Sequence, residues 1–527
     1  MRTITLFSFL LIIIFSGNAQ SFELFDFNTS GDFQPKYFTE FNGILIFQAK
    51  DADGVELWKT DGTQTGTSKI KDLNPNGSSN PRNFIPFNGV LYFTATGGLW
   101  KTDGTEIGTE IVAQVTPEGK LTVSNNLLFF VAGNNTNGKE LWKSDGTEAG
   151  TEMVKDINPG TSNSLQFNSQ IIAYNNEVIF AANNGINGKE LWKSDGTEAG
   201  TEMIKDINQF GMDGSNPMHF IEYKGKIYFA ASDIQNGNEL WKTDGTSSGT
   251  ELVEDNSTDD LSSNPAKFVV YSESLFFQAE SDDNKGIEMH RYNLTTNAVQ
   301  RVVDIYDGSG SGGFSPAIEY NNGLYFTASK PETGIELYVR RNGSTILSED
   351  VTPGSISGAP TAFCNCGDKM YFRAYDGNEN ALFEFDTTGN ATKIKPNSAT
   401  NEPFFISTPT ELFCFKNELY LAGNYTSSGY DLWKYTVNST LSIKDDKYNS
   451  KSIIYYPNPA SDKITITSNN STNINQIAFY TITGKLVLKE DVNHNEITTS
   501  IKNLNAGIYI VNIKTESSSF TKRLIVE

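Results

Sequence analysis

The sequence predicts an all-β protein built from about nine four-stranded units arranged as a repeat β-propeller, whose N-terminal strand closes the last unit. A small Ig-like β-sandwich follows, and an open β-solenoid is the alternative for the repeats. Three observations predict this. The string Glu56-Leu57-Trp58-Lys59-Thr60-Asp61-Gly62-Thr63, continuing to Gly66-Thr67, returns along the chain at spacings of 42 to 50 residues. An aromatic-rich segment precedes every copy. The usage of 35 Phe, 22 Tyr and 45 Gly favours pleated strands joined by tight turns over helices.

Taken in order, the chain begins with Arg2, an apolar run from Leu6 to Phe15, and then Gly17-Asn18-Ala19. A charged residue, an apolar stretch and small residues make up a cleavable signal peptide, here residues 1–19, with cleavage after Ala19 leaving Gln20 first. The apolar run is shorter than the ~20 residues that span a bilayer, so no transmembrane span is expected.

The repeat region covers residues 20–437. The tryptophan position is held by Trp58, Trp100, Trp142, Trp192 and Trp241, then by His290, Tyr338 and Phe383, and finally by Trp433. Upstream of each lies a strand such as Ile44-Leu45-Ile46-Phe47 or Leu91-Tyr92-Phe93. Before that comes a segment such as Pro81 to Phe87, ending at Asn88-Gly89, a pair suited to the positive φ of a hairpin turn. A fourth strand follows the tryptophan strand, as in Met153-Val154-Lys155. Four short strands in about 47 residues match one propeller blade.

The last unit ends at Leu432-Trp433-Lys434-Tyr435 with no fourth strand, whereas Phe25-Asp26-Phe27-Asn28 near the start resembles Lys155-Asp156-Ile157-Asn158. The N-terminal segment can therefore complete the last unit and remove a frayed edge. Nine units exceed the usual four to eight blades, which is what keeps the open solenoid as the alternative.

All six tryptophans occupy one repeat position, as expected of rings packed between neighbouring units. His290 would imitate a flat ring there. With only His219 and His494 besides, a histidine-based triad has little support. The repeated Asp61, Asp103, Asp145, Asp195 and Asp244 each precede Gly-Thr, where a carboxylate accepts backbone N–H bonds and holds a loop. Repetition of that kind marks scaffold, because a catalytic acid is needed once or twice in one pocket.

The loops between the second and third strands vary more. Asp51 and Asp53 in one, and Asp282 and Asp283 in another, are oxygen donors that could hold calcium, although neither loop has the twelve-residue calcium pattern. No cofactor is required. Cys364 and Cys366 align with Ile85 and Phe87, and Cys414 aligns with Pro86, so one bridge at most can form and one thiol is left over.

The net charge of −22 disfavours nucleic acid as a partner. From about Tyr455 the composition changes to short alternating strands, giving a C-terminal β-sandwich at 454–527 behind a polar linker at 438–453.

Two resemblances follow from these residues. The motif Glu-Leu-Trp-Lys-Thr/Ser-Asp-Gly-Thr-x-x-Gly-Thr resembles the bacterial ELWxxDGT repeat family, which implies no defined activity and no catalytic residue. Tyr456-Pro457-Asn458-Pro459, Gly484-Lys485, Leu504 through Tyr509 and the final Lys522-Arg523-Leu524 resemble the type A C-terminal sorting domain of the type IX secretion system. That resemblance implies passage through the periplasm, handling by the type IX machinery, and an extracellular or outer-membrane surface location on a Gram-negative bacterium.

The expected function is binding or adhesion, with variable loops on a rigid ring meeting an extracellular glycan or protein. An extracellular polysaccharide hydrolase or lyase is the alternative; it would need carboxylates unique to single units, such as Glu222, Glu319 or Asp376, converging on one pocket. A passive structural surface component is a third reading.

Overall fold

The computed structural model describes residues 22–436 and 453–526, apart from 26, 28–30, 210–212, 256–261, 282, 395–404, 407–410, 425–429, 458, 469–472, 482–484 and 516–518. The expected signal peptide, the Ala19/Gln20 cleavage site, nearly all of the 438–453 linker, and Asp282 lie outside the described residues. The chain divides into two compact units, Met1–Asn438 and Ser439–Glu527.

The first unit is a series of nine antiparallel sheets, numbered here in chain order, and no α-helix occurs among the described residues. Sheet one sets the pattern with strands Lys36–Phe41, Ile44–Asp51, Gly54–Thr60 and Ser68–Lys71, each paired with the next. The second strand is buried on both faces from Leu45 to Ala49, as suits a strand packed between two neighbouring sheets. In every sheet an aromatic or aliphatic residue of the second strand faces the tryptophan position: Phe47 lies opposite Trp58, Phe277 opposite His290 and Leu421 opposite Trp433.

Sheet nine differs. Its strands Leu412–Phe415, Glu418–Asn424 and Asp431–Thr436 are completed by Phe22–Phe25 from the chain start, with Leu24 opposite Trp433 and Phe25 opposite Leu432. The N-terminal segment thus supplies the missing strand. A fifth short strand, Phe405–Ile406, also pairs with Glu418–Asn424, so the last sheet is not strictly four-stranded.

The core sits between the sheets, in nine apolar clusters that each join two neighbours. Phe41, Ile46 and Leu57 of sheet one pack with Leu91 and Phe93 of sheet two. The same arrangement continues along the chain to the cluster that joins Tyr371 and Leu382 of sheet eight to Leu419 and Trp433 of sheet nine. The ninth cluster joins Tyr420, Leu432 and Phe415 of sheet nine to Phe38, Phe47 and Trp58 of sheet one.

Polar links follow the same succession. Lys59 Nζ donates to the Gly104 carbonyl of sheet two at 2.8 Å, Lys143 Nζ to Gly196 of the next sheet at 2.8 Å, and Lys434 Nζ to Gly62 of sheet one at 3.0 Å. Sheet nine therefore meets sheet one with the kind of core cluster that every sheet shares with its successor and with the lysine bond that sheets one and three also make.

The second unit has two antiparallel sheets. Ile453–Tyr456, Lys463–Ser468 and Glu496–Ser500 form one, and Leu486–His494, Ile474–Thr481, Gly507–Thr515 and Ser519–Val526 form the other. Ile464 and Ile466 of the first share a core with Ile477, Phe479, Val511, Ile513 and Leu524 of the second.

Candidate functional site

The repeated residues are engaged inside the scaffold. Trp58, Trp192, Trp241 and Trp433 are all buried, and each lies in the cluster shared with the preceding sheet, while Trp100 and Trp142 pack against theirs from a partly buried position. Tyr338 and Phe383 are buried in the same way. His290 is 1% exposed and stacks on Phe277 with ring centroids 6.1 Å apart, and burial pushes its pKa down to about 4. A neutral ring is what that position holds.

Each repeated aspartate closes its own loop. Asp61 Oδ1 accepts from the Thr63 N–H at 2.9 Å and the Thr63 hydroxyl at 2.7 Å, and that hydroxyl in turn accepts from the Gly66 N–H at 3.0 Å. Asp103, Asp145, Asp195 and Asp244 make the same pair of bonds. The threonine bonds hold all five carboxyls below the ordinary value. The second glycine of the motif follows from this: a Cβ on Gly66 would lie 2.0 Å from Asp61 Oδ1.

A further repeated group is not evident from the sequence. The glutamate of Glu-Leu-Trp is wholly buried at Glu56, Glu140, Glu190, Glu239, Glu288 and Glu336. Glu56 accepts from the Leu73 and Ser79 N–H groups, each at 3.0 Å, and from the Ser79 hydroxyl at 2.6 Å, so it pins the segment leading to the next sheet. Desolvation pushes Glu140 and Glu336 up to about 7 despite such bonds. The available signal was the recurrence of Glu two residues before the aromatic ring, opposite an alanine such as Ala49 or Ala132.

The residues that do not repeat gather elsewhere. The first strands of successive sheets lie beside one another, and most carry a bulge two residues after a buried proline. Its bulged residue has positive φ at Tyr37 (60°), Asn83 (57°), Gly119 (76°), His219 (62°), Lys267 (58°) and Ala362 (54°). The prolines are Pro35, Pro81, Pro117, Pro217, Pro265 and Pro360. A bulge re-aims the side chain that carries it, and here one backbone device presents a different side chain from each sheet.

Beside the bulges of sheets one to three lies a cavity of about 600 Å³ lined by Tyr37, Arg82, Asn83, Lys120, Phe167 and Gln170, which come from sheets one to three and the segment leading into sheet four. A second, of about 210 Å³, continues from Gln170 to Met218 and His219. Burial and the neighbouring Lys267 ammonium hold His219 below its ordinary pKa. Sequence reasoning passed over this site because no motif marks it; the Pro-x-bulge spacing was the usable signal.

Other candidates are placed as follows. Lys69 Nζ lies 2.8 Å from Asp51 Oδ2 and also pairs with Asp53, and Arg301 pairs with Asp283, so the three described acids among those considered for calcium are each paired with a basic side chain. No group of three or more metal-ligating side chains occurs among the described residues. Glu222 and Glu319 lie on the first strands of sheets five and seven, with sheet six between them. Asp376 closes a hairpin, accepting from the Asn378 and Glu379 N–H groups and pairing with Lys393. The three acids are not brought together.

Cys366 is bridged to Cys414, with Cα atoms 5.3 Å apart, and this joins sheets eight and nine. Cys364 is the free thiol, its pKa pushed up to about 11 by burial.

The chain is thus a two-unit all-β protein, with nine antiparallel sheets in the first unit and a two-sheet sandwich in the second. Residues 454–527 match the secretion system C-terminal sorting domain, which marks type IX cargo exported to the cell surface or the extracellular space. No helix among the described residues is long and apolar enough to cross a membrane. No curated protein matches the chain.

Solved structures similar to it include PorZ, an essential surface component of the type IX secretion system of Porphyromonas gingivalis, at 11% identity and TM-score 0.30, covering 94% of this chain and 81% of that one. Another is the extracellular domain of a putative hybrid two-component system from B. thetaiotaomicron, at 11% identity and TM-score 0.31, covering 96% and 76%. An oligogalacturonate lyase in complex with manganese matches at 9% identity and TM-score 0.34, covering 78% and 90%.

Proposed function

We propose that this chain is an ELWxxDGT-repeat β-propeller, delivered by the type IX machinery after loss of residues 1–19, that binds a glycan or protein outside the cell. The ring spans 20–437, and the linker 438–453 carries the sorting sandwich 454–527. The ring reading is supported by the core cluster and lysine bond that join sheet nine to sheet one, which an open solenoid would lack.

The binding reading rests on one observation. Along the first strands the backbone repeats while the side chains at its bulges do not, and the bulges at Tyr37, Asn83 and Gly119 border a cavity of about 600 Å³. That size suits a small ligand or one end of a polymer. A rigid scaffold presenting unrelated side chains to one concave site is how repeat proteins achieve recognition.

The test is retention of polysaccharides and surface proteins by the purified full chain, with release of reducing ends followed in parallel. Retention of intact ligand supports a binding module. Appearance of cleaved sugar would overturn it in favour of the hydrolase or lyase.

A further inference from the structure

We infer that the cavity between the first strands takes an acidic polysaccharide, its carboxylates held by Arg82 and Lys120 and its sugar rings lying on Tyr37 and Phe167. This rests on the binding reading above and adds the ligand's chemistry.

Charge is the first support. The chain as a whole carries −22, yet the first strands of sheets one, two, three and six place Lys36, Arg82, Lys120 and Lys267 at or next to their bulges. The acids at the same level are already engaged. Glu118 pairs with Lys139 at 2.6 Å, and Glu411 accepts the Phe38 N–H at 3.1 Å beside Lys36. Among the described residues no carboxylate lies within 4.0 Å of the charged nitrogens of Arg82 or Lys120. Two cations left without acids beside a concave site, in a protein this acidic, suit an anion arriving from outside.

The second support is the aromatic pair. Tyr37 is 41% exposed and Phe167 is 49% exposed, although most of the chain's large aromatic side chains are buried. Both line the cavity together with Asn83 and Gln170. Exposed aromatic faces offer the C–H face of a sugar a stacking surface, and the Asn83 amide offers its hydroxyls a partner, whereas the Gln170 amide is bonded at both its oxygen and its nitrogen to the Phe220 backbone. Tyr37 is held at φ 60°, an unfavourable conformation for a bulky residue that points to a role for the side chain.

A densely charged nucleic acid is the less suitable polyanion. The surrounding −22 opposes it at long range, whereas a uronate polymer carries one charge per sugar and leaves the ring faces free.

The experiment measures binding of the full chain to polygalacturonate oligomers, with the methyl-esterified polymer as the uncharged twin. The variants are Arg82→Glu, Lys120→Glu and Tyr37→Ala, with Lys502→Glu in the sorting sandwich as a charge-matched control, and each is checked for an unchanged unfolding midpoint. The expected result is binding of polygalacturonate that falls at least tenfold in each cavity variant, falls with added salt, and is unchanged in the control. Binding indifferent to Arg82→Glu and Lys120→Glu overturns the inference. So does equal binding of the methyl ester, or displacement by single-stranded DNA at equal charge concentration. If neutral glycans or a surface protein are retained and polygalacturonate is not, the binding reading stands and the acidic ligand falls. If nothing in the panel is retained, both fall.

Discussion

Replacing Gly150 by alanine tests why the repeat reads Asp-Gly-Thr-x-x-Gly-Thr. Gly150 does not have the positive φ that would require glycine, so its backbone alone would accept alanine. A Cβ there would, however, lie 2.1 Å from Asp145 Oδ1 and 2.2 Å from Asp145 Cγ. The carboxylate has to swing out, and the Thr147 N–H and hydroxyl, now at 2.9 and 2.7 Å, lose their acceptor. Each bond is worth about 1 kcal/mol once solvent competition at this exposed loop is discounted, and residual crowding adds about 1 kcal/mol. Gly150→Ala should therefore cost about 2–3 kcal/mol, and Asp145→Ala alone about 2 kcal/mol from the same bonds. In the double variant the collision is gone, so adding Gly150→Ala to Asp145→Ala should cost under about 0.5 kcal/mol, a coupling of about 2 kcal/mol. Urea unfolding of the four proteins reads the energies, and hydrogen exchange at the Thr147 and Gly150 amides localises them. Equal costs of Gly150→Ala in both backgrounds would refute the carboxylate as the reason for the glycine.

Glu140 and Glu336 are raised from 4.5 to about 7, so between those values the folded chain holds protons that the unfolded chain releases. Their contribution is whole below about 4.5 and is lost as pH rises through about 7. Glu140→Gln should flatten the fall in unfolding midpoint between pH 5 and pH 8, and an unaltered slope would count against a buried, protonating glutamate. The Cys366–Cys414 bridge closes a separation of 48 residues, worth about 4 kcal/mol in the chain-entropy account, so Cys366→Ala should lower the urea midpoint and make it indifferent to reductant. His290→Phe exchanges a buried ring whose Nε2 has no hydrogen-bond partner for the residue that Phe383 supplies in sheet eight, and should raise stability by about 1 kcal/mol in thermal unfolding; a loss of that size would show that the 3.1 Å contact of Nδ1 with the Glu288 carbonyl matters more.

The period of the aromatic strand, the Asn-Gly turns and the displaced fourth strand were legible because each is a local pattern in the residues. The buried glutamates were not. A charged residue in a strand reads as solvent-facing, and its burial becomes visible only when the segment after the fourth strand wraps its N–H groups around the carboxylate, as Leu73 and Ser79 do around Glu56. The cysteine pairing depended on the same kind of non-local fact. The last residue of the first strand is the one that reaches the next sheet: Tyr174, Tyr223, Tyr271 and Tyr320 there donate their hydroxyls to the carbonyls of Gly225, Glu273, Asn322 and Asp368. Cys366 holds that position in sheet eight, and for that reason it, rather than Cys364, meets Cys414.

The bulges separate scaffold from site in energetic terms. A non-glycine residue at positive φ costs on the order of 1–2 kcal/mol, and Gly119 shows that glycine fits the position. A purely structural bulge would lose little by having glycine at every copy. Tyr37, His219 and Lys267 instead retain large side chains there, in a repeat whose internal positions are otherwise conservatively filled by tryptophan, aspartate, glycine and glutamate. The strain is tolerated at the positions where units differ and is absent from the Asp-Thr loops where they agree. Tyr37→Gly, Lys267→Gly and His219→Gly should consequently leave stability within about 1 kcal/mol of the parent, because relief of strain offsets the added freedom of glycine. Tyr37→Gly and His219→Gly, at residues that line the two cavities, should impair ligand retention, whereas Lys267→Gly, at a residue that lines neither, should not. A variant set that lost stability and kept binding would make the bulge side chains part of the scaffold after all.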